Sequence, residues 1–189
     1  DVYKRQTLDS VVWMTENGRT EDAVVMLTSL ARFFRISLSR GSSVIPIADE
    51  LEHARHYLTI QKMRYKNKFS ADIQAEDGVE QLYTIKLVIQ PVLENAIYHG
   101  IKVKQQGGTV RIESLLEEDR LLITVEDDGV GMTPEQLETI LDKKESDAES
   151  TKIGVYNVNE RLQLFFGSEA AMKYYSEPGK RTMVMLVLP

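Results

Sequence analysis

Apolar residues recur at helical spacing through the first third of the chain and alternate at strand spacing through much of the remainder. From Thr7 the pattern is helical: Asp9 or Ser10 can cap a short segment through Met14, before the turn signal Asn17-Gly18. Ala23, Met26, Leu27, Leu30, Phe33 and Phe34, three and four residues apart, predict a second helix over Thr20–Leu38, with Arg32, Arg35 and Arg40 between or beyond them. The two form a helical hairpin with an apolar seam. Gly41-Ser42-Ser43 interrupts it, and Pro46 with Asp49 opens a third helix from about Ile47 to Tyr65. Leu51, Ala54, Tyr57, Leu58 and Gln61 mark its inner face, and Glu50, Glu52, Arg55 and Lys62 are expected in solvent.

Beyond Lys66-Asn67-Lys68 the texture changes to the alternating strand Phe69–Ile73, closed by Asp77-Gly78. Ile89, Val92, Leu93 and Ala96 then give a helix an apolar stripe, opposite Glu94, Asn95, Tyr98 and His99. Gly100 is assigned the position just past that helix, and His99 suits the negative end of its dipole. After the polar loop Lys104–Gly108, strands over Thr109–Leu115 and Leu121–Val125 form a hairpin across Glu117-Glu118-Asp119. The hairpin ends at an acidic, glycine-containing corner, Glu126–Met132. Thr133 caps the next helix with Pro134 at its first position, and that helix reaches about Leu141. Asp142–Lys152, charged and without an apolar stripe, reads as a mobile loop; a helix follows over Val155–Phe166. Strands over Ala171–Ser176 and Thr182–Leu188 flank Glu177-Pro178-Gly179-Lys180, which suits a type II turn. The order of elements predicts an α+β fold, a two-layer α/β sandwich with helices on one face of a mixed or antiparallel sheet.

Composition narrows the chemistry. With 29 acidic and 23 basic residues the chain lacks the clustered basic surplus of a nucleic-acid face, and with no cysteine it can form neither disulfides nor thiolate metal sites. No apolar run is long enough to span a membrane, so a membrane anchor is expected only upstream of residue 1.

Two clusters could carry chemistry. Asn95 offers a neutral oxygen of the kind Mg²⁺ accepts when phosphates and water complete its shell, and Glu94 beside it could take a proton or orient a nucleophile. The competing reading is a solvated polar face. Asp127, ionised, only accepts hydrogen bonds, which suits the exocyclic amine of adenine and rejects the guanine carbonyl, and Gly129 and Gly131 let backbone approach a flat base. Here the competing reading is an ordinary Asp-Asp-Gly turn. The oxygen alternation of a calcium loop is missing, as is a P-loop. His53 and His56 lack a third ligand of matching spacing and are read as solvent-facing helical histidines.

Taken in order, these segments resemble a known family. Pro91–Gly100 resembles the N box, Asp127–Met132 the G1 box and Ile153–Leu162 the G2 box of sensor histidine kinases. Glu177-Pro178-Gly179-Lys180 with Thr182 is similar to the closing segment of the same Bergerat-fold ATPase domain, shared with gyrase, the heat-shock chaperones and the mismatch-repair ATPases. The likeness covers about Phe69 to Pro189. Glu50-Leu51 and Tyr57–Lys62 resemble the linker of the LytS and YesM-like branch, whose members are membrane-anchored.

The resemblance implies a helical dimerisation and linker region over residues 1–66 and an ATPase catalytic domain over 67–189. It implies the ATP-binding core of a two-component sensor kinase, passing the γ-phosphoryl of ATP to a histidine for relay to a response regulator. The chain would be the cytoplasmic part of a bacterial membrane protein, homodimeric through its N-terminal helices and without a nucleic-acid partner. Asn95 becomes the Mg²⁺ ligand, Glu94 the acid-base residue, Asp127 the adenine reader, and Gly129 and Gly131 the base-pocket lining. Gly154 and Asn157 belong to the phosphate-facing lid, which spans Thr133–Lys152, and His99, Gly100 and Thr182 surround the nucleotide. The chain departs from the pattern at Asp128, where the family has Asn, and at Lys152 and Arg181. Asp1–Gln6 contains no histidine where the branch carries its phosphoacceptor, so the chain is expected to lack its own acceptor through truncation, a faulty start or true loss. An ATP-hydrolysing clamp and a non-catalytic ATP-sensing dimerisation module are the alternative functions.

Overall fold

A computed structural model describes residues 2–38, 43–66, 68–104, 106–140 and 150–189 of the chain. Helix α1 (Val2–Glu16) is longer than its predicted cap allowed, because Ser10 Oγ donates to the Gln6 carbonyl at 2.8 Å from inside the helix instead of capping it. Helix α2 (Thr20–Leu38) follows its stripe except at Leu27, which is exposed: Ala23 and Met26 meet Met14 of α1, while Leu30 and Phe33 join the main core. Strand β1 (Val44–Pro46) leads into α3 (Ile47–Arg64), and Ile47, Leu51, Ala54, Tyr57, Leu58 and Ile60 of α3 are buried in that same core. The break at Gly41-Ser42 and most of the loop at Asp142–Lys152, with Leu141, lie outside the described residues.

Strand β2 (Phe69–Ala75) is followed by a 3₁₀ turn (Val79–Gln81) and strand β3 (Tyr83–Ile85), which pairs antiparallel with β1, Val44 opposite Ile85. Neither β1 nor β3 was predicted, since three residues are too few to display an alternation. Strands β4 (Gly108–Glu117) and β5 (Arg120–Asp127) join through Glu118 and Asp119, both at positive φ as a tight hairpin turn requires. Strands β6 (Ala171–Glu177) and β7 (Arg181–Leu188) complete a five-stranded sheet of order β2-β4-β5-β7-β6, parallel between β2 and β4 and antiparallel elsewhere. Gly179 sits at φ 75° in the predicted turn, whose Lys180 N–H donates to the Glu177 carbonyl at 3.0 Å.

Val110, Ile112, Ile123, Val125, Val184 and Leu186 line the sheet's inner face. Over it lie α3, α4 (Ile89–Asn95) and α6 (Ser150–Phe166), through Leu93, Val155, Val158 and Leu162. These layers are the α+β sandwich expected from the pattern. Helix α6 begins at Ser150, earlier than the predicted Val155. The short α5 (Pro134–Thr139) starts as predicted: Thr133 Oγ1 accepts the Gln136 N–H, Gln136 Oε1 accepts the Thr133 N–H at 2.9 Å, and Pro134 occupies the first position. One helix end differs. Chain beyond α4 winds on as a π-helical turn (Ala96–Ile101), with Lys102 N–H bonded to the Ile97 carbonyl at 2.8 Å. Gly100 is therefore buried inside that turn, outside the left-handed region, and is not a helix-ending residue.

Candidate active site

The sheet register assembles the site. Asp127 closes β5, and its partner across the ladder is Thr182 of β7. Both are buried, and both line a cavity of about 240 Å³ together with Asn95, His99, Gly100 and Gly131. Asp127 Oδ1 accepts the Gly129 N–H at 2.9 Å. Burial pushes the Asp127 carboxyl up to about 7; the Gly129 N–H opposes this, Asp128 and Glu126 add to it, and Lys104 opposes it.

Thr182 is oriented by a chain of hydroxyls. Ser176 Oγ donates its one proton to the Arg181 carbonyl at 2.8 Å and accepts the Met132 N–H at 2.8 Å. The 2.9 Å contact between Ser176 Oγ and Thr182 Oγ1 therefore has Thr182 donating. That leaves the threonine oxygen with acceptor capacity beside a carboxylate.

Two glycine contacts close the floor. A Cβ on Gly129 would collide with the Gly100 backbone and Asp127 Oδ1, so the π-helical turn can rest on the acidic corner only where both side chains are absent. Gly131, at φ 66°, faces the Glu177 carbonyl, which any Cβ would strike, and the Gly179 N–H donates to the Val130 carbonyl at 2.6 Å. The corner is thereby pinned between the N box turn and the β6–β7 turn. Val130, Met132, Gln136 and Ile140 complete the lining. Val130 and Met132 fall in the G1 box segment and Gln136 and Ile140 in the expected lid, but none of the four was named as a site residue.

The remaining predicted residues are placed apart. Glu94 lies on the helix beside Asn95, outside the cavity lining, and accepts a hydrogen bond from Gln90 Nε2 at 2.8 Å. Burial raises its pKa and the Gln90 bond lowers it. Gly154 on α6 packs toward Pro91, where a Cβ would make only an ordinary contact, and Asn157 is exposed. Asp128 turns away: its Oδ1 accepts the Thr109 N–H at 2.8 Å and its carbonyl accepts Lys104 Nζ at 2.7 Å. Arg181 pairs with Glu126 and Glu177 at 3.4 and 3.5 Å. The side chain of Lys152 and the lid's residues 141–149 lie outside the described residues.

The donor set fits a divalent ion shared with phosphate. Among the described residues no three carboxylate, histidine or cysteine side chains gather as a metal cage. Asn95, buried at the cavity wall, would contribute one neutral oxygen and leave the other positions to phosphate and water.

Two expectations fail on α3. Glu50, expected in solvent, is fully buried and accepts the backbone N–H groups of Leu87, Val88 and Ile89 at 3.0, 2.7 and 2.9 Å. Burial raises its pKa against those three bonds and the charge of Arg161. A helix-face count could not reveal this, because its partners lie far along the chain. His53 is likewise buried, stacked on Phe33 at 4.4 Å and bonded to Ser37 Oγ at 2.8 Å, and burial holds its pKa down to about 4. His56 faces Glu52 at 3.3 Å.

Comparisons with known proteins agree with this architecture. Residues 5–69 match the "Histidine kinase" family model and residues 81–189 the "Histidine kinase-, DNA gyrase B-, and HSP90-like ATPase" model. The chain is 29% identical over 183 residues to the sensor histidine kinase YesM of Bacillus subtilis, covering 97% of this chain and 30% of that protein. It is 31% identical over 170 residues to the sensor protein LytS of Bacillus anthracis, covering 89% of this chain and 29% of that protein. The chain thus spans about 30% of the length of these relatives. The histidine kinase domain of the Erythrobacter litoralis EL346 blue-light activated kinase shares the fold with a TM-score of 0.57, at 16% identity over 99% of this chain and 94% of that one. Acinetobacter baumannii AdeS does so with a TM-score of 0.54, at 13% identity over 94% of this chain and 83% of that one.

Proposed function

Because the chain belongs to the histidine kinase-, DNA gyrase B- and HSP90-like ATPase family, we propose that it is the ATP-binding catalytic core of a two-component sensor histidine kinase. The supporting observation is the convergence of Asn95, Asp127 and Thr182 on one cavity over the Gly100–Gly129 contact. In this reading the Asp127 carboxylate and Thr182 oxygen accept from the adenine amine and its surroundings, and the backbone at Gly100, Gly129 and Gly131 lies against the base. Val130, Met132 and Ile140 give the base an apolar wall. His99, Gly154 and Asn157 serve the nucleotide's remaining surface and the lid. Asn95 holds Mg²⁺; the chemistry a bound magnesium ion supplies is charge neutralisation on phosphate oxygens.

In the transfer a P–O bond of ATP breaks, a P–N bond to a histidine forms and ADP leaves. The imidazole proton needs an acceptor, and Glu94, with its carboxyl raised by burial, suits that role. The functional division into a dimerisation and linker region over 1–66 and a catalytic domain over 67–189 cuts through a shared core, since the buried residues of α3 belong to one cluster with those of the sheet, α4 and α6. Helices α1 and α2 expose Leu8, Val12, Trp13, Val24, Val25 and Leu27, an apolar surface suited to a second copy of the chain. Among the described residues no helix is long and apolar enough to cross a membrane. We place this chain on the cytoplasmic side of a membrane-anchored kinase that relays to a response regulator.

Calorimetry of ADP binding with Mg²⁺ and with chelator tests the site. Asn95→Ala should remove the Mg²⁺-dependent gain, about 10-fold or more, and leave metal-free binding in place. An undiminished gain in that variant would remove the metal assignment. Acid-labile, base-stable label from radioactive ATP in the full-length kinase would support histidine transfer, and free phosphate alone would favour a hydrolytic clamp.

A further inference from the structure

The stretch leading into α4 is held by α3 and by the strand that runs into it. Ile47 N–H donates to the Leu82 carbonyl at 2.7 Å, the β1–β3 ladder follows, and Lys86 N–H donates to the Ser43 carbonyl at 2.9 Å. The next three N–H groups, of Leu87, Val88 and Ile89, all end on the Glu50 carboxylate. Val88, at the cap position of α4, supplies no side-chain cap of its own, so the cap comes from another helix. To aim its N–H at Oε2, Leu87 takes φ 60°, a left-handed conformation that a residue with a Cβ adopts only when its surroundings hold it there. Arg161 of α6 donates to the neighbouring Lys86 carbonyl, bringing the third covering helix to the same joint.

We propose that Glu50 is a positioning residue that fixes α4, and with it Asn95, to α3. The inference rests on the reading of Asn95 as the ligand to Mg²⁺. Asn95 ends the helix whose first N–H groups Glu50 holds, and so short a helix moves as one rod. The other side of α3 meets α2 through the His53–Phe33 stack and the His53–Ser37 bond. A shift of α3 against α2 is thereby delivered to the metal side of the cavity. Asp127 and Thr182 stand on sheet strands that Glu50 does not touch, and the close Gly100–Gly129 contact pins the far end of the π-helical turn that follows Asn95, so the base side stays in place. Glu50 sets the hold on the metal–phosphate end and leaves the hold on the base alone.

The test uses the whole chain and ADP as probe. In Glu50→Gln the isosteric amide cannot accept on both sides, so hydrogen exchange at the Leu87, Val88 and Ile89 amides should quicken. The Mg²⁺-dependent gain in ADP affinity should fall by about tenfold while affinity in chelator stays within about twofold. Should Glu50→Gln not fold, Glu50→Asp, which keeps the charge but withdraws the carboxylate by one methylene, is read in the same way. A wild-type gain kept whole in the variant overturns the inference, as does an equal loss with and without Mg²⁺, which would mark a structural cap only. A wild-type chain that shows no Mg²⁺ gain removes the reading of Asn95, and the inference falls with it.

Discussion

Two buried acids, Glu50 at the joint between α3 and α4 and Asp127 at the cavity, differ in what meets their oxygens. Glu50 receives three backbone N–H groups and is not in the cavity lining, whereas Asp127 receives one and faces that opening of about 240 Å³. A carboxylate whose acceptor capacity is used internally serves the fold; one left largely unused is available to a ligand. The same side-chain chemistry, equally hidden from water, thus points to different work. Counting donors separates the two where burial alone does not.

Glu50→Ala should break the contrast most severely. With three buried N–H groups unpaired, stability should fall by roughly 3–5 kcal/mol, read from urea denaturation at neutral pH. Loss below 1 kcal/mol would mean that water or a rearranged backbone satisfies those groups.

Asp127→Asn should have the reverse profile. Nucleotide affinity should drop by about 100-fold, because the amide presents a donor where the carboxylate accepts. Stability should not fall with it. The folded-state pKa of Asp127, about 7, lies above the unfolded value of 3.8, so its contribution is fully present below about pH 4 and is lost as pH rises through 7. That loss is on the order of 4 kcal/mol, and a denaturation series from pH 4 to 8 should be flatter in the variant by this amount. An unchanged slope would place the titration elsewhere.

The smallest effect concerns His53, a third buried titratable group, whose ring has Ser37 Oγ as a neighbour. Its folded pKa, about 4, lies below the ordinary 6.5, so its contribution is present above pH 6.5 and is lost as pH falls through 4. Ser37→Ala should cost about 1 kcal/mol at pH 7 and leave Mg²⁺-nucleotide affinity untouched, since the Phe33 stack still seats the ring. A fall in that affinity would instead make the hydroxyl part of the path from α2 to the site.

Much of the molecule was legible in local patterning. The spacing of Ala23, Met26, Leu30 and Phe33 marked α2, the alternation from Thr109 marked β4, and Thr133-Pro134 marked the start of α5. Each rests on neighbours within a few residues of one another. The acidic corner and the N box were legible as motifs, and Asn95, Gly100, Asp127 and Thr182, named from sequence, line one cavity. Val130, Met132 and Ile140, in the G1 box and the expected lid, were not named individually because apolar side chains offer no polar chemistry to single out, although they face the same space.

The sequence by itself determined which segments coil, which extend and which short motifs stand ready to hold a nucleotide, because those depend on side-chain period and local turn chemistry. Tertiary structure alone decided that Asp127 and Thr182 are ladder partners, that the helix end at Gly100 widens into a π turn, and that Glu50 is buried. The physical reason is range. Glu50 meets its donors at Leu87, Val88 and Ile89, and nothing in the heptad around Glu50 distinguishes an acid bound for water from one bound for three distant N–H groups.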